Sequence, residues 1–95
     1  MKPELAVPES IRMPDAAAEA AVQRAREILA ADPRNPWCAY AVAKALALAG
    51  RFAGLGEAAA RRVYLQACGS APARTVEWGW RLFVASDWWA RRDEL

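Results

Sequence analysis

The sequence predicts an all-α domain: four helices arranged as two stacked helical hairpins, behind an extended N-terminal arm. Three observations carry this prediction. Alanine, the best helix former, makes up about a quarter of the 95 residues, against five glycines and six prolines. The phrase Glu19-Ala20-Ala21-x-x-Arg24 recurs as Glu57-Ala58-Ala59-x-x-Arg62, 38 residues later. A period near about 40 residues is what stacked helical hairpins leave in a sequence, because one hairpin cannot bury its apolar face alone. Finally, each phrase opens an Ala-rich stretch that runs through a turn into a second apolar stretch. A chain of this length is one domain, expected here over residues 15–95.

Residues 1–14 contain Pro3, Pro8 and Pro14, which fix φ and push the preceding residues toward extended geometry, so an extended arm is expected. Leu5, Val7, Ile11 and Met13 give it apolar side chains with which to pack along the body. The first helix is expected over about Asp15–Ala31, with Asp15 as N-cap, Val22, Ala25, Ile28 and Leu29 as its apolar face, and Asp32-Pro33 as its stop. The second starts at an Asn35 cap with Pro36 in the first turn and ends at Gly50. Trp37, Ala41, Ala45 and Leu48 line one of its stripes, and Tyr40, Ala43 and Ala47 a neighbouring one. Gly50, Gly54 and Gly56 lie in a connector that lacks the Lys-Ser/Thr pair of a phosphate loop, and it reads as a helix–helix turn. The third helix is expected over about Glu57–Cys68, with Ala60, Val63, Tyr64 and Ala67 inward and Gly69 closing it. The fourth is expected from near Pro72 to about Arg91, with Ser70 as its cap.

The segment Asp32-Pro33-Arg34-Asn35-Pro36, followed by a helix that leaves through Gly50-Arg51-Phe52, resembles the tetratricopeptide (TPR) repeat family over residues about 18–68. Pro33 stands where the family's repeat-ending Pro stands. Ala21 matches the small residue of the packing helix before it. Val42, Ala43 and Leu46 fill apolar-small-apolar positions, and Gly50 and Phe52 match the exit. The connector before the third helix is longer than the family's, the next Pro arrives off period at Pro72, and the fourth helix has no counterpart. The resemblance implies a groove that binds a protein or peptide, and no chemistry.

The fourth helix carries two apolar faces. With Val76 at 0° on a helical wheel, Trp80, Phe83 and Val84 fall between about 340° and 80°, whereas Trp78, Leu82 and Trp89 fall between about 200° and 240°. Only one of these can face the domain's own core unless the helix is sandwiched. Trp80 is assigned to it. Trp78, Leu82 and Trp89 are assigned to a partner-facing patch or homodimer seam, rimmed by Arg81, Arg91 and Arg92, since Trp and Arg dominate interface hot spots. Glu77 with Arg81 and Asp87 with Arg91 are expected i,i+4 ion pairs.

Composition narrows the function classes. The chain contains no His, the commonest general acid–base and metal ligand, and its two cysteines, Cys38 and Cys68, are thirty residues apart, so no zinc site and no Ser-His or Cys-His pairing is expected. Cys68 at a helix end is a weak nucleophile candidate. Both thiols are expected to be free and partly buried in a reducing cytoplasm. The N-terminal residues lack the apolar core of a signal peptide, no apolar run is long enough to span a bilayer, and the match of Arg92-Asp93-Glu94-Leu95 to an endoplasmic-reticulum retrieval tail is read as coincidence. A net charge of +2, spread over both halves, makes no basic stripe. A helix-turn-helix reading of Leu65–Trp78 is the alternative, but Val76 falls one residue out of register and Trp78 and Trp80 would face DNA. The expected function is therefore non-catalytic binding of a protein partner or of a second copy, as an adaptor or chaperone-like subunit or as a small inhibitor of the kind mobile elements encode. No enzyme activity, cofactor, small-molecule substrate or membrane is expected, and nucleic acid is the less favoured partner.

Overall fold

A computed structural model describes residues 15–95, and the arm expected over residues 1–14 lies outside the described residues. The architecture is all-α, with four principal helices: α1 (Asp15–Ala31), α2 (Pro36–Leu48), α3 (Glu57–Cys68) and α4 (Ala73–Val84). A one-turn helix α5 (Asp87–Ala90) and a 3₁₀ turn (Arg92–Glu94) follow, and no strand occurs among the described residues.

The punctuation residues act as their chemistry dictates. The Asn35 side chain accepts from the amide of Trp37 at 3.0 Å, satisfying one of the orphan donors of α2, while Pro36 occupies the first turn where its missing N–H costs nothing. At the other end Gly50 adopts φ 75°. Its N–H donates to the Ala47 carbonyl at 2.9 Å, and the N–H of Arg51 reaches back to Leu46 at 3.0 Å, which is the bond pattern of a Schellman motif. The next residue but one, Phe52, enters the core with no exposed surface. Asp15 and Ser70 do not act as caps: Asp15 lies inside the first turn of α1, and α4 is preceded by Pro72, which offers no side-chain bond.

α2 is the central element. Its largest contacts are with α4 and then α1, and α3 packs against it more sparingly. Cys38, Ala39, Val42, Ala43, Ala45, Leu46 and Ala47 are buried, covering well over half of its circumference. One stripe is left outward, and it contains Trp37, which is 60% exposed and not the inner residue its spacing suggested. α1 is a surface helix that buries Ala18, Val22, Ala25 and Leu29, so Ala18 takes the place expected of Ile28, which is 46% exposed. The substitution follows from the narrowness of the stripe. A helix packed on an Ala-rich neighbour approaches closely and contacts it along an 18-22-25-29 line, which Ile28 flanks.

α2 and α4 approach each other closely at Gly79. A Cβ built on Gly79 would lie 2.5 Å from Ala39 Cβ, 2.7 Å from the Tyr64 hydroxyl and 2.9 Å from the backbone N of Tyr40. Glycine at this mid-helix position therefore serves packing, at the expense of helix propensity. Beside it Tyr64, fully buried, donates from its hydroxyl to the Val76 carbonyl at 2.7 Å and ties α3 to α4. Two of the three neighbours at Gly79 are short or backbone groups unable to swing aside, so Gly79→Ala is expected to destabilise the fold by about 1–3 kcal/mol despite Ala's better propensity. Gly56→Ser meets nothing at an uncapped helix start and is expected to raise stability by about 0.5 kcal/mol. Urea titrations of the two variants against the parent measure both.

Candidate functional site

The residues expected to form one patch are divided by a break in the fourth helix. α4 ends at Val84, and the single helix to Arg91 is not observed. Ser86 causes the break. Its backbone is extended at ψ 165°, and both its N–H and its hydroxyl turn back onto the Phe83 carbonyl, at 2.9 and 2.6 Å. A serine hydroxyl competing for backbone groups ends a helix in this way. Ser86 also occupies the N-cap position of α5, without a side-chain capping bond, and Asp87 gives an acidic first turn, a restart pattern present in the sequence that the apolar periodicity concealed.

The change of direction turns Trp89 inward. Its ring packs edge-on to Phe52, Trp80 and Phe83 at centroid distances of 6.4, 5.8 and 6.0 Å, and the residue is half-buried. Arg92 follows it. The guanidinium lies 3.7 Å over the Trp89 ring and donates to the Trp89 and Leu55 carbonyls at 2.9 and 3.2 Å. The Asp93 carboxylate accepts from the Gly54 amide at 2.8 Å, and Leu95 is buried in the core. Residues 92–95 are thus folded against the connector after α2, and the Leu95 side chain is not presented to solvent. Arg91 is exposed and pairs with Glu94 at 3.3 Å, in place of the expected pairing with Asp87.

Trp78, Arg81 and Leu82 remain together on the outer face of α4. Trp78 is 48% exposed, Leu82 is half-buried, and the Arg81 guanidinium lies 5.2 Å over the Trp78 ring. Arg81 also donates to Glu77 at 3.3 Å, as expected, and Glu77 accepts in addition from Arg61 of α3. These hydrogen bonds and charges, led by Arg61, hold the Glu77 carboxyl below the usual carboxylate range.

A second set of aromatic residues lies on the outward stripe of α2. Trp37 and Tyr40 of α2 contact each other edge-on at 5.4 Å, and Lys44, one turn further on, lies 4.8 Å over the Trp88 ring. Tyr40, near the start of α2, meets Gly79 in the middle of α4, and Phe52, just past the end of α2, meets Phe83 near the end of α4, so the two helices run in the same direction. On the helical wheel Trp37, Tyr40 and Lys44 share the outward stripe of α2, and Arg74, Trp78 and Leu82 share a stripe of α4 on the opposite side of Gly79 from Trp80. The expected patch lacked Trp37 and Tyr40. A Trp at the first turn of a helix whose opposite side is continuous Cys, Ala, Val and Leu is the signal that marked Trp37 as outward.

A concave region lies elsewhere. An open cleft of about 660 Å³ between the end of α1 and the α3–α4 turn has Leu29 and Cys68 among its lining, with Arg26 and Arg34 beside them. Burial pushes the Cys68 thiol up to about 11, partly opposed by a hydrogen bond with Tyr64 and by the Arg26 charge, so the thiol is protonated at neutral pH. Burial, followed by the neighbouring Asp32, likewise raises Cys38. Both cysteines are free and buried. No group of His, Cys, Asp and Glu able to hold a metal occurs among the described residues, and none of their helices is long and apolar enough to cross a membrane.

No family model matches this chain, and neither a curated protein nor a solved structure was found similar to it.

Two expectations follow from these placements. Trp89→Ala removes a ring from the core cluster and is expected to cost about 2–3 kcal/mol, while Trp78→Ala is expected to stay within about 0.5 kcal/mol of the parent; chemical denaturation separates them. Stability is also expected to fall as pH rises above 9. In the unfolded chain the thiol titrates at 9.0 and the tyrosine at 10.0, whereas Cys68 in the fold titrates at about 11 and burial raises Tyr64 further. Between pH 9 and 11 the unfolded state therefore binds fewer protons than the native one, and each step of pH favours unfolding. The midpoint of denaturant unfolding, followed from pH 7 to 10.5, checks the sign, and Cys68→Ala should flatten the slope.

Proposed function

We propose that this chain is a non-catalytic protein-binding module whose contact surface is the aromatic face shared by α2 and α4. The observation that carries the reading is the exposure of two tryptophans on adjacent helices, Trp37 at 60% and Trp78 at 48%. Each retains a partner that holds its ring: Tyr40 for Trp37, and Arg81 for Trp78. Trp and Arg presented in fixed orientation are the side chains from which interface hot spots are built, because they contribute large contact area for little additional ordering. Both thiols are buried and held in the protonated form, which accords with a stoichiometric role.

Of the residues first assigned to the contact, Trp78, Leu82 and Arg81 keep that role in this proposal, and Trp37 and Tyr40 join them. Trp89 and Arg92 serve the core and the C-terminal closure, and Arg91 stands apart beside Glu94. The TPR-like reading is retained as a proposal for residues 18–68. It is supported by the left-handed Gly50, the wholly buried Phe52 and the burial of Val42, Ala43 and Leu46, all at the positions the resemblance relies on. The free cysteines agree with a cytoplasmic setting. The partner is then a larger assembly to which the chain adds as an adaptor, a machine that it inhibits, or its own copy.

The test is a nuclease-treated affinity capture with the parent chain and the Trp37→Ala/Trp78→Ala variant, accompanied by sedimentation of both. A protein retained by the parent and reduced at least about tenfold by the variant, or a dimer that the variant dissociates, is the expected result. Unchanged capture and unchanged mass would refute the assignment.

A further inference from the structure

The charges around the aromatic face are not distributed at random. α2 and α4 together carry Lys44, Arg74 and Arg81 against a single acid, Glu77, a net charge of +2. That equals the net charge of the entire chain, so every other segment taken together is balanced. The one acid on these helices is moreover fully engaged: Glu77 pairs with Arg61 and Arg81 at once, and its low pKa keeps it in that role. Arg74 is exposed and has no partner among the described residues. It sits one turn before Trp78, and Trp78 sits one turn before Leu82, so the three share a face of α4. Across the contact line, Lys44 follows Tyr40 on α2, and its ammonium lies over the face of Trp88. The two helices thus set three cations and one paired acid beside this strip of aromatic residues, and the one further charge next to Trp88 is the exposed Asp87.

We infer that the partner presents an acidic amphipathic peptide segment to this strip. The inference rests on the reading of the strip as the binding face and specifies what binds there. Trp, Phe or Leu side chains of the segment lie along Trp37, Tyr40, Trp78 and Leu82, and its Asp and Glu residues meet Lys44, Arg74 and Arg81. Burial of the rings supplies affinity. The charges set orientation, raise the association rate and disfavour basic competitors. A nucleic-acid backbone is the poorer match: it requires a longer basic track than three cations, one of which is already shared with Glu77.

A random twelve-residue peptide library displayed on phage, selected on the full chain and then depleted on Trp78→Ala, tests this directly. Enriched peptides are synthesised, and their affinities measured by fluorescence anisotropy against the parent, Trp78→Ala, Trp37→Ala and Lys44→Glu/Arg74→Glu. Thermal melts confirm that each variant is folded, and Lys44→Gln/Arg74→Gln serves as the milder pair. The expected peptides carry aromatic or Leu anchors with an excess of Asp and Glu. They should bind the charge-reversed pair at least about tenfold more weakly and lose affinity as salt rises. Peptides that need Trp78 but are neutral or basic, or that are indifferent to the charge reversal, overturn the acidic-partner inference and leave the binding face standing. Peptides indifferent to both tryptophans, or no enrichment at all, overturn both. Tighter binding of a fluorescent oligouridylate than of any selected peptide overturns the inference in favour of nucleic acid.

Discussion

The close approach of α2 and α4 at Gly79 is the constraint on which the remaining structure depends. Two helices whose facing residues are Ala39 and Gly79 come near enough for backbone and Cβ atoms to touch, and this fixes where every larger side chain goes. Tyr64 fits only because its hydroxyl reaches past that contact to the Val76 carbonyl. Trp80 and Phe83, one and four residues on from Gly79, are directed to the other side of the contact, where Phe52 receives them at 6.0 and 5.5 Å. The indole N–H of Trp80 is satisfied by Glu57 at the start of α3, at 3.3 Å, so a large amphipathic ring is buried without an orphan donor. In a chain so rich in alanine the core is formed by a thin seam of small residues between aromatic clusters, and the seam determines how the clusters meet.

Much of this organisation was legible in the sequence, because it depends on local chemistry. Pro36 and Asn35 start α2, Gly50 and Gly69 end helices in left-handed backbone, and the limits of α1 and α3 fall where their breakers stand. What periodicity alone did not yield depends on tertiary distances. Ile28 and Trp37 satisfy an apolar spacing but lie beyond the reach of a closely packed neighbour, so both are exposed. The fourth helix misled for a different reason. Its wheel places Trp89 at the same angle as Trp78, and only a continuous helix preserves that angle; Ser86 breaks the continuity, and the two rings part.

The candidate site shows the same division. Trp78, Leu82 and Arg81 were identifiable as a group because they are neighbours on one unbroken helical surface, and the structure keeps them together. In the proposed face Trp37 and Tyr40 join them through the α2–α4 seam, and no spacing rule within a single helix brings such a pairing into view. Arg92 was chosen for its residue type, but its donors are taken up by two carbonyls and its plane by Trp89. An arginine of this kind contributes to closure of the fold, and its charge has little freedom to orient a partner.

The position of Phe52 bears on how the chain responds to being divided. Its ring leaves α2 in the first half of the sequence and is enclosed by Trp80, Phe83 and Trp89 from the second, while Asp93 and Arg92 fasten to the same connector. A solenoid tolerates the loss or gain of a hairpin because each repeat meets only its neighbours through similar surfaces. Here the joint between the halves is itself the aromatic centre, so a cut near residue 54 would strip both fragments of their largest side-chain contacts. A separated half, or a copy of one half added alone, would have to recreate that aromatic centre, whereas circular permutation at the mid-point keeps both of its sides in one chain.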